Sequence, residues 1–125
     1  MNQIQLSVYM TYNWQKGLEM CKLAYEIWQV KDIMATKYAF RSWKEAEELF
    51  NPLDYKLVYK GEEEDCDDDS DIDLLEYLFM KFNMNHPKDF KGHSLSVSDV
   101  VRIYNSDGMV TTYYCNDIGW KKIDY

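Results

Sequence analysis

Two runs of alternating strand-forming residues, "DVVRIYN" and "MVTTYYCN", stand on either side of Asn105-Ser106-Asp107-Gly108. An Asp-Gly pair between such runs is a strong hairpin signal, because glycine supplies the positive φ that matches the turn to the twist of its strands. "GWKKIDY", reached through Asn116-Asp117-Ile118-Gly119, adds a short final strand. The last third of the chain is therefore antiparallel β, and its apolar side needs a cover supplied from upstream.

Upstream segments provide both helices and further strands. In "RSWKEAEELF", Ser42 and Glu45 form a capping-box pattern, and Trp43, Ala46, Leu49 and Phe50 make an apolar stripe that Asn51-Pro52 stops. Ser70 with Asp73 begins a second such pattern, with Leu75, Leu78, Phe79 and Phe82 on one face, Lys81 in the last turn and Asn83 at the end. Asn13 is placed to cap another helix through Trp14, Leu18 and Cys21, although Gly17 weakens it. "IQLSVYMTY" alternates as a strand, and "DYKLVYKG" predicts a strand with Tyr55, Leu57 and Tyr59 on one side. "YEIWQVKD" fits either a helix or a strand on its residue types. Residues 1–125 read as a single α+β domain: a mostly antiparallel sheet with about three helices packed on it, a C-terminal β-hairpin and a short final strand.

Charge is concentrated in one place. "EEEDCDDDSDID", residues 62–73, holds nine of the 22 acids and no base, which leaves 13 acids against 14 bases elsewhere. It predicts a solvated acidic loop on a chain with no basic face, so direct nucleic-acid binding is disfavoured. Cys21, Cys66 and Cys115 are odd in number, far apart and free of any CxxC pair, which is neither a disulfide framework nor a zinc signature. A reducing cytoplasm is the simplest home for them. The N-terminal residues lack the pattern of a signal peptide, and no apolar stretch approaches the roughly 18 residues of a membrane span. The expectation is a cytoplasmic protein with no membrane association.

A longer pattern suggests a family. "FNMNHPKDFKGHSLSVSDVVRIY", a hairpin and then "YYCNDIGW" resemble the YodL-like domain, closely over residues 74–123 and more loosely back through "YEIWQVKD", "YAFRSW" and "DYKLVYKG". The resemblance implies a strand rather than a helix at residues 25–30. It also implies a small accessory protein, or a module of a larger one, from bacterial mobile elements and phages, and it brings no catalytic residue with it. Asn116 and Asp117 depart from the usual acidic and small residues before the closing glycine, and the acidic run is unusually long.

Several chemistries compete within these segments. His93, Ser94, Ser96, Ser98 and Asp99 are the residue types of a nucleophilic hydrolase. A triad, however, needs nucleophile and base on separate elements, and His93 and Ser94 are neighbours with no GxSxG elbow. The simpler reading has Leu95 and Val97 pointing inward, the alternating serines facing solvent or tying down amides, and Asp99 capping a turn. A metal site from His86, His93 and Cys115 lacks any known zinc spacing. Asp65, Asp67, Asp69, Asp73 and Glu76 nearly match an EF-hand register for Ca²⁺, but Ser70 sits where the loop needs glycine, and a strand precedes it. No cofactor or dedicated metal is expected.

The 11 tyrosines and four tryptophans are a heavy load for 125 residues and suit partner contacts. The leading expectation is a non-enzymatic interaction module that binds a protein partner from the bacterial host or the element. Its candidate contacts are Glu62, Glu63, Glu64, Asp67, Asp68, Asp69, Tyr113 and Trp120. An alternative is an anti-defence inhibitor, against restriction or CRISPR systems, whose acidic loop imitates a row of nucleic-acid phosphates.

Overall fold

A computed structural model describes residues 22–64, 71–105 and 108–125. The predicted strand at "IQLSVYMTY" and the helix after Asn13 lie outside the described residues. Five strands form one antiparallel sheet: β1 (Lys22–Val30), β2 (Tyr55–Glu64), β3 (Val100–Tyr104), β4 (Val110–Cys115) and β5 (Trp120–Ile123), in the spatial order β2-β1-β3-β4-β5. Residues 25–30 are thus strand. The hairpin forms as predicted, with Tyr104 opposite Val110 and Gly108 at φ +89°.

The helical expectation requires correction. The described residues contain two α-helices rather than about three, a single turn α1 (Trp43–Ala46) and α2 (Asp71–Met84), beside a three-residue 3-10 turn at Pro52–Asp54, and only α2 exceeds two turns. Ser42 makes no side-chain cap. The first free amide of α1, Trp43 N, donates instead to Asn116 Oδ1 at 2.9 Å, across the fold. So short a helix cannot sustain itself on local hydrogen bonds and exists where tertiary contacts hold it. It buries Ala46 and leaves Leu49 about half exposed, so the predicted stripe is broken.

β2 and β3 both lie antiparallel to β1 and therefore parallel to each other. Their connection must cross a face of the sheet, and α2 does so. Leu74, Leu75, Leu78 and Phe82 of α2 pack on Leu23, Tyr25 and Ile27 of β1, with Val101, Ile103 and Tyr113 beyond. Phe79, expected in that stripe, lies largely outside it. The segment between β1 and β2 covers part of the opposite face, where Tyr38, Ala46, Trp43 and Phe50 meet Val30, Tyr55, Val100 and Tyr114. Rings pack edge to face on both sides, with Phe82–Phe90 centroids 4.8 Å apart and Trp43–Tyr114 centroids 5.0 Å apart.

The β1–β2 register shifts between Ile27 and Trp28, which pair with Tyr59 and Leu57 and leave Val58 as the extra residue. A bulge reverses the facing of everything beyond it. Tyr59 consequently packs with the α2 layer and Tyr55 with the opposite layer, so the two do not share a side as predicted. Both ends of the predicted acidic loop are regular structure instead. Glu62, Glu63 and Glu64 belong to β2, and Asp71, Ile72 and Asp73 to α2. No helix among the described residues is long and apolar enough to cross a membrane.

Candidate functional site

The segment that carries the histidine and serines runs as a loop of turns before β3, not as an alternating strand. Two side-chain carboxamides hold it. Gln29, buried in β1, donates from Nε2 to the His93 carbonyl at 2.9 Å, and its Oε1 accepts from His93 N at 3.1 Å. Asn83, near the end of α2, repeats the arrangement: its Oδ1 accepts from Leu95 N at 2.6 Å, and its Nδ2 donates to the Leu95 carbonyl at 3.2 Å. Each amide pairs with one loop residue as a neighbouring strand would, satisfying backbone groups that would otherwise be buried unpaired. A Cβ at position 92 would fall on Gln29 Oε1, so the glycine of Lys91-Gly92-His93 serves this close approach.

Asp99 completes the network. Its Oδ2 accepts from Ser96 N at 2.7 Å and from Gln29 Nε2 at 3.0 Å, which fulfils its expected turn-capping role. Burial raises its carboxyl to about 7 against the partial opposition of those two hydrogen bonds. Ser98 is buried at φ +84°, a left-handed conformation that costs a non-glycine residue roughly 1–3 kcal/mol. It is fixed from three sides: Ser98 N donates to the Cys115 carbonyl, its carbonyl accepts from Tyr55 Oη at 2.6 Å, and its Oγ accepts from Phe40 N at 2.9 Å. Phe40 is itself left-handed, at φ +65°. Ser98 thus takes the second of the two roles expected of these serines, tying down a backbone amide rather than facing solvent.

The catalytic residue types are close together but do not form a relay. Ser96 Oγ donates to the Ser94 carbonyl, and His93 Nδ1 pairs with the same oxygen at 2.7 Å. No hydrogen bond among the described residues joins a serine hydroxyl to an imidazole nitrogen. His86 lies at the far end of the loop against Phe90. Burial, then the charges of Asp99 and Glu76, push the Cys115 thiol up to about 12, far from a reactive thiolate. No group of three His, Cys, Asp or Glu side chains placed to hold a metal occurs among the described residues.

The acids expected to meet a partner have varied placements. Glu62 is exposed on β2, and Glu64 closes that strand. Glu63 Oε2 accepts from Lys81 Nζ at 2.6 Å and from Tyr25 Oη at 3.2 Å. Burial works against the Lys81 charge, but the bond to Glu63 outweighs it and leaves the ammonium above its ordinary value. Asp73 and Glu76 are exposed on α2, while Asp65, Asp67, Asp68 and Asp69 lie outside the described residues. Tyr113 is a core ring whose hydroxyl donates to Asp71 Oδ2 at 2.8 Å, and Trp120 is half-buried in a T-shaped pair with Phe79.

A different surface is open. Among the described residues, the cover between β1 and β2 leaves an apolar groove of about 340 Å³ on its sheet face, over β1 to β4. Trp28, Val100 and Tyr55 line it from the strands, and Leu53 and Tyr125 border it at 76% and 53% exposure. Arg102 and Lys31 also line it. Neither Arg102 nor Leu53 stood out in the sequence, because a single basic residue in a strand and a leucine beside a proline are unremarkable on periodicity alone. Trp28 and Tyr125 belonged to the general aromatic excess.

Among known proteins, a family model for the YodL-like domain matches residues 24–125. No curated protein and no solved structure matches the chain. The matched region starts inside β1 and contains β2 to β5, both carboxamide clamps and the groove. The chain belongs to the YodL-like domain family.

Proposed function

We propose that this domain is a non-enzymatic protein-binding module, of the kind that phages and mobile elements use on a bacterial host or element protein, and that it engages its partner through the groove beside Trp28. The observation that carries this reading is the groove itself, a concave apolar surface bordered by exposed Leu53 and Tyr125. Contiguous apolar concavities with aromatic and arginine linings are where binding energy concentrates in protein interfaces. Of the polar residues that resembled chemistry, Ser98 and Asp99 have structural occupations instead, anchoring the loop before β3 together with Gln29 and Asn83.

The anti-defence alternative would place the contact in the acidic segment. At its two ends, Glu63 is bound to Lys81 and Asp71 to Tyr113, so those acids already serve the fold. The readings part in a capture experiment from bacterial lysate with the wild-type chain, Leu53→Glu and Asp67→Asn/Asp68→Asn/Asp69→Asn. Leu53 is largely exposed, so its substitution spares the core. A partner lost with Leu53→Glu and retained by the triple variant supports groove binding. The reverse pattern, with capture that also collapses as salt is raised, supports the acidic mimic and overturns the groove.

A further inference from the structure

The groove has a chemical preference that its apolar lining alone would not give. Arg102 projects from the middle of β3 into this surface, and no carboxylate pairs with it among the described residues. Glu26, opposite Arg102 in the β1–β3 register, accepts at Oε1 from Trp28 Nε1 at 3.0 Å and also hydrogen-bonds the Tyr104 side chain. Among the described residues Arg102 has a long 3.4 Å hydrogen bond to Thr112 Oγ1, a hydroxyl that itself donates to a main-chain oxygen of Tyr125 at 2.6 Å, and the face of Tyr104 at 5.9 Å. A partly buried guanidinium that uses little of its fork among the described residues is matched by a carboxylate, which it binds through two parallel charge-assisted hydrogen bonds.

Size and net charge narrow the occupant further. A cavity of about 340 Å³ is at the small end of ligand sites and admits one or two side chains rather than a folded surface. A chain of net charge −8 repels polyanions at long range, so a nucleic acid or an anionic bilayer is a poor match. One carboxylate beside a large apolar side chain fits both the walls and Arg102. Building on the groove-binding reading, we infer that the site takes a short linear segment of the partner protein. That segment carries a tryptophan, phenylalanine or leucine next to a glutamate or aspartate, with the ring or branched chain over Trp28 and the acid on Arg102.

The test uses end-blocked hexapeptides with a central pair of Trp, Phe, Leu or Ala followed by Glu, Gln or Lys, titrated against the full chain by backbone amide NMR. Peptides with a large apolar residue and Glu are expected to shift the amides of residues 100–102 and 112. Replacing Glu with Gln, or Arg102→Met in the protein, should weaken binding about tenfold or more, the scale of a hydrogen bond to a charged group. Leu53→Glu should abolish it. Thermal melts establish that both variants fold, and Leu53→Glu stands on its own if Arg102→Met does not. Binding that is equal for Glu and Gln peptides and indifferent to Arg102→Met overturns the inference. So does a panel that fails to bind while lysate capture still depends on Leu53, a result that leaves the groove-binding module intact. Self-association of the free chain that Leu53→Glu abolishes would assign the groove to a second copy and also overturn it.

Discussion

Gln29 shows how much one residue can organise. It is a polar residue in a strand buried on both faces, and it is tolerated because its amide is spent on His93 and Asp99. Asp99 beside it is less comfortable. Its carboxyl is raised from 3.8 to about 7 by burial, so between those values the folded chain holds a proton that the unfolded chain has released. The contribution of this group is then fully present below about pH 4 and is lost as the pH rises through 7. It amounts to a few kcal/mol, at about 1.4 kcal/mol for each tenfold difference in proton affinity between the folded and unfolded chain. Asp99→Asn keeps an acceptor for Ser96 N and removes the titration. Urea denaturation from pH 4 to 8 should therefore show stability falling over that range in the wild type and a flatter profile in the variant. Parallel profiles would mean that Asp99 does not carry the dependence. The residue types of "GHSLSVSD" were legible in the sequence, but their partners were not, because Gln29 and Asn83 contact the loop from positions 64 and 12 residues away.

Among the elements, β2 to β5 and the long helix followed from periodicity and turn signals and β1 from the family resemblance, while the departures came from contacts made at a distance. Val58 is an ordinary strand residue, and nothing local marks it as the bulge that sends Tyr55 and Tyr59 to opposite layers. Ser42 and Glu45 satisfy the capping pattern, yet Trp43 N is bonded by Asn116, which follows β4. That exchange has a measurable consequence. Asn116→Ala should destabilise by about 1 kcal/mol, a typical cap value. Ser42→Ala should change stability by less than about 0.5 kcal/mol, as for a surface position that makes no special contact. Thermal or urea melts of the two variants decide the matter, and a larger loss at Ser42 than at Asn116 would restore the local cap. α2 was legible for the opposite reason. Its stripe is long enough for tertiary burial to reinforce the local pattern, though Leu74 rather than Phe79 takes the fourth core position.

For the molecule as a whole, two covers of unequal kind sit on one sheet. α2 and the loop held by Gln29 and Asn83 close one face with a continuous apolar cluster. The irregular segment around α1 closes only part of the other, and the groove is what it leaves open. The sequence located the aromatic excess and the acidic run, and it placed binding in the run and at Tyr113 and Trp120. The groove depends on which rings the bulge and the short α1 turn leave uncovered, and such a remainder is a property of the assembled sheet. Hydrogen–deuterium exchange of the free chain and of the chain saturated with its captured partner reads this assignment directly. Groove binding predicts slowed exchange at residues 50–55, 100–102 and 112, with little change at residues 62–64 and 91–99. Protection confined to residues 62–64 and the start of α2, with the groove amides unchanged, would contradict it.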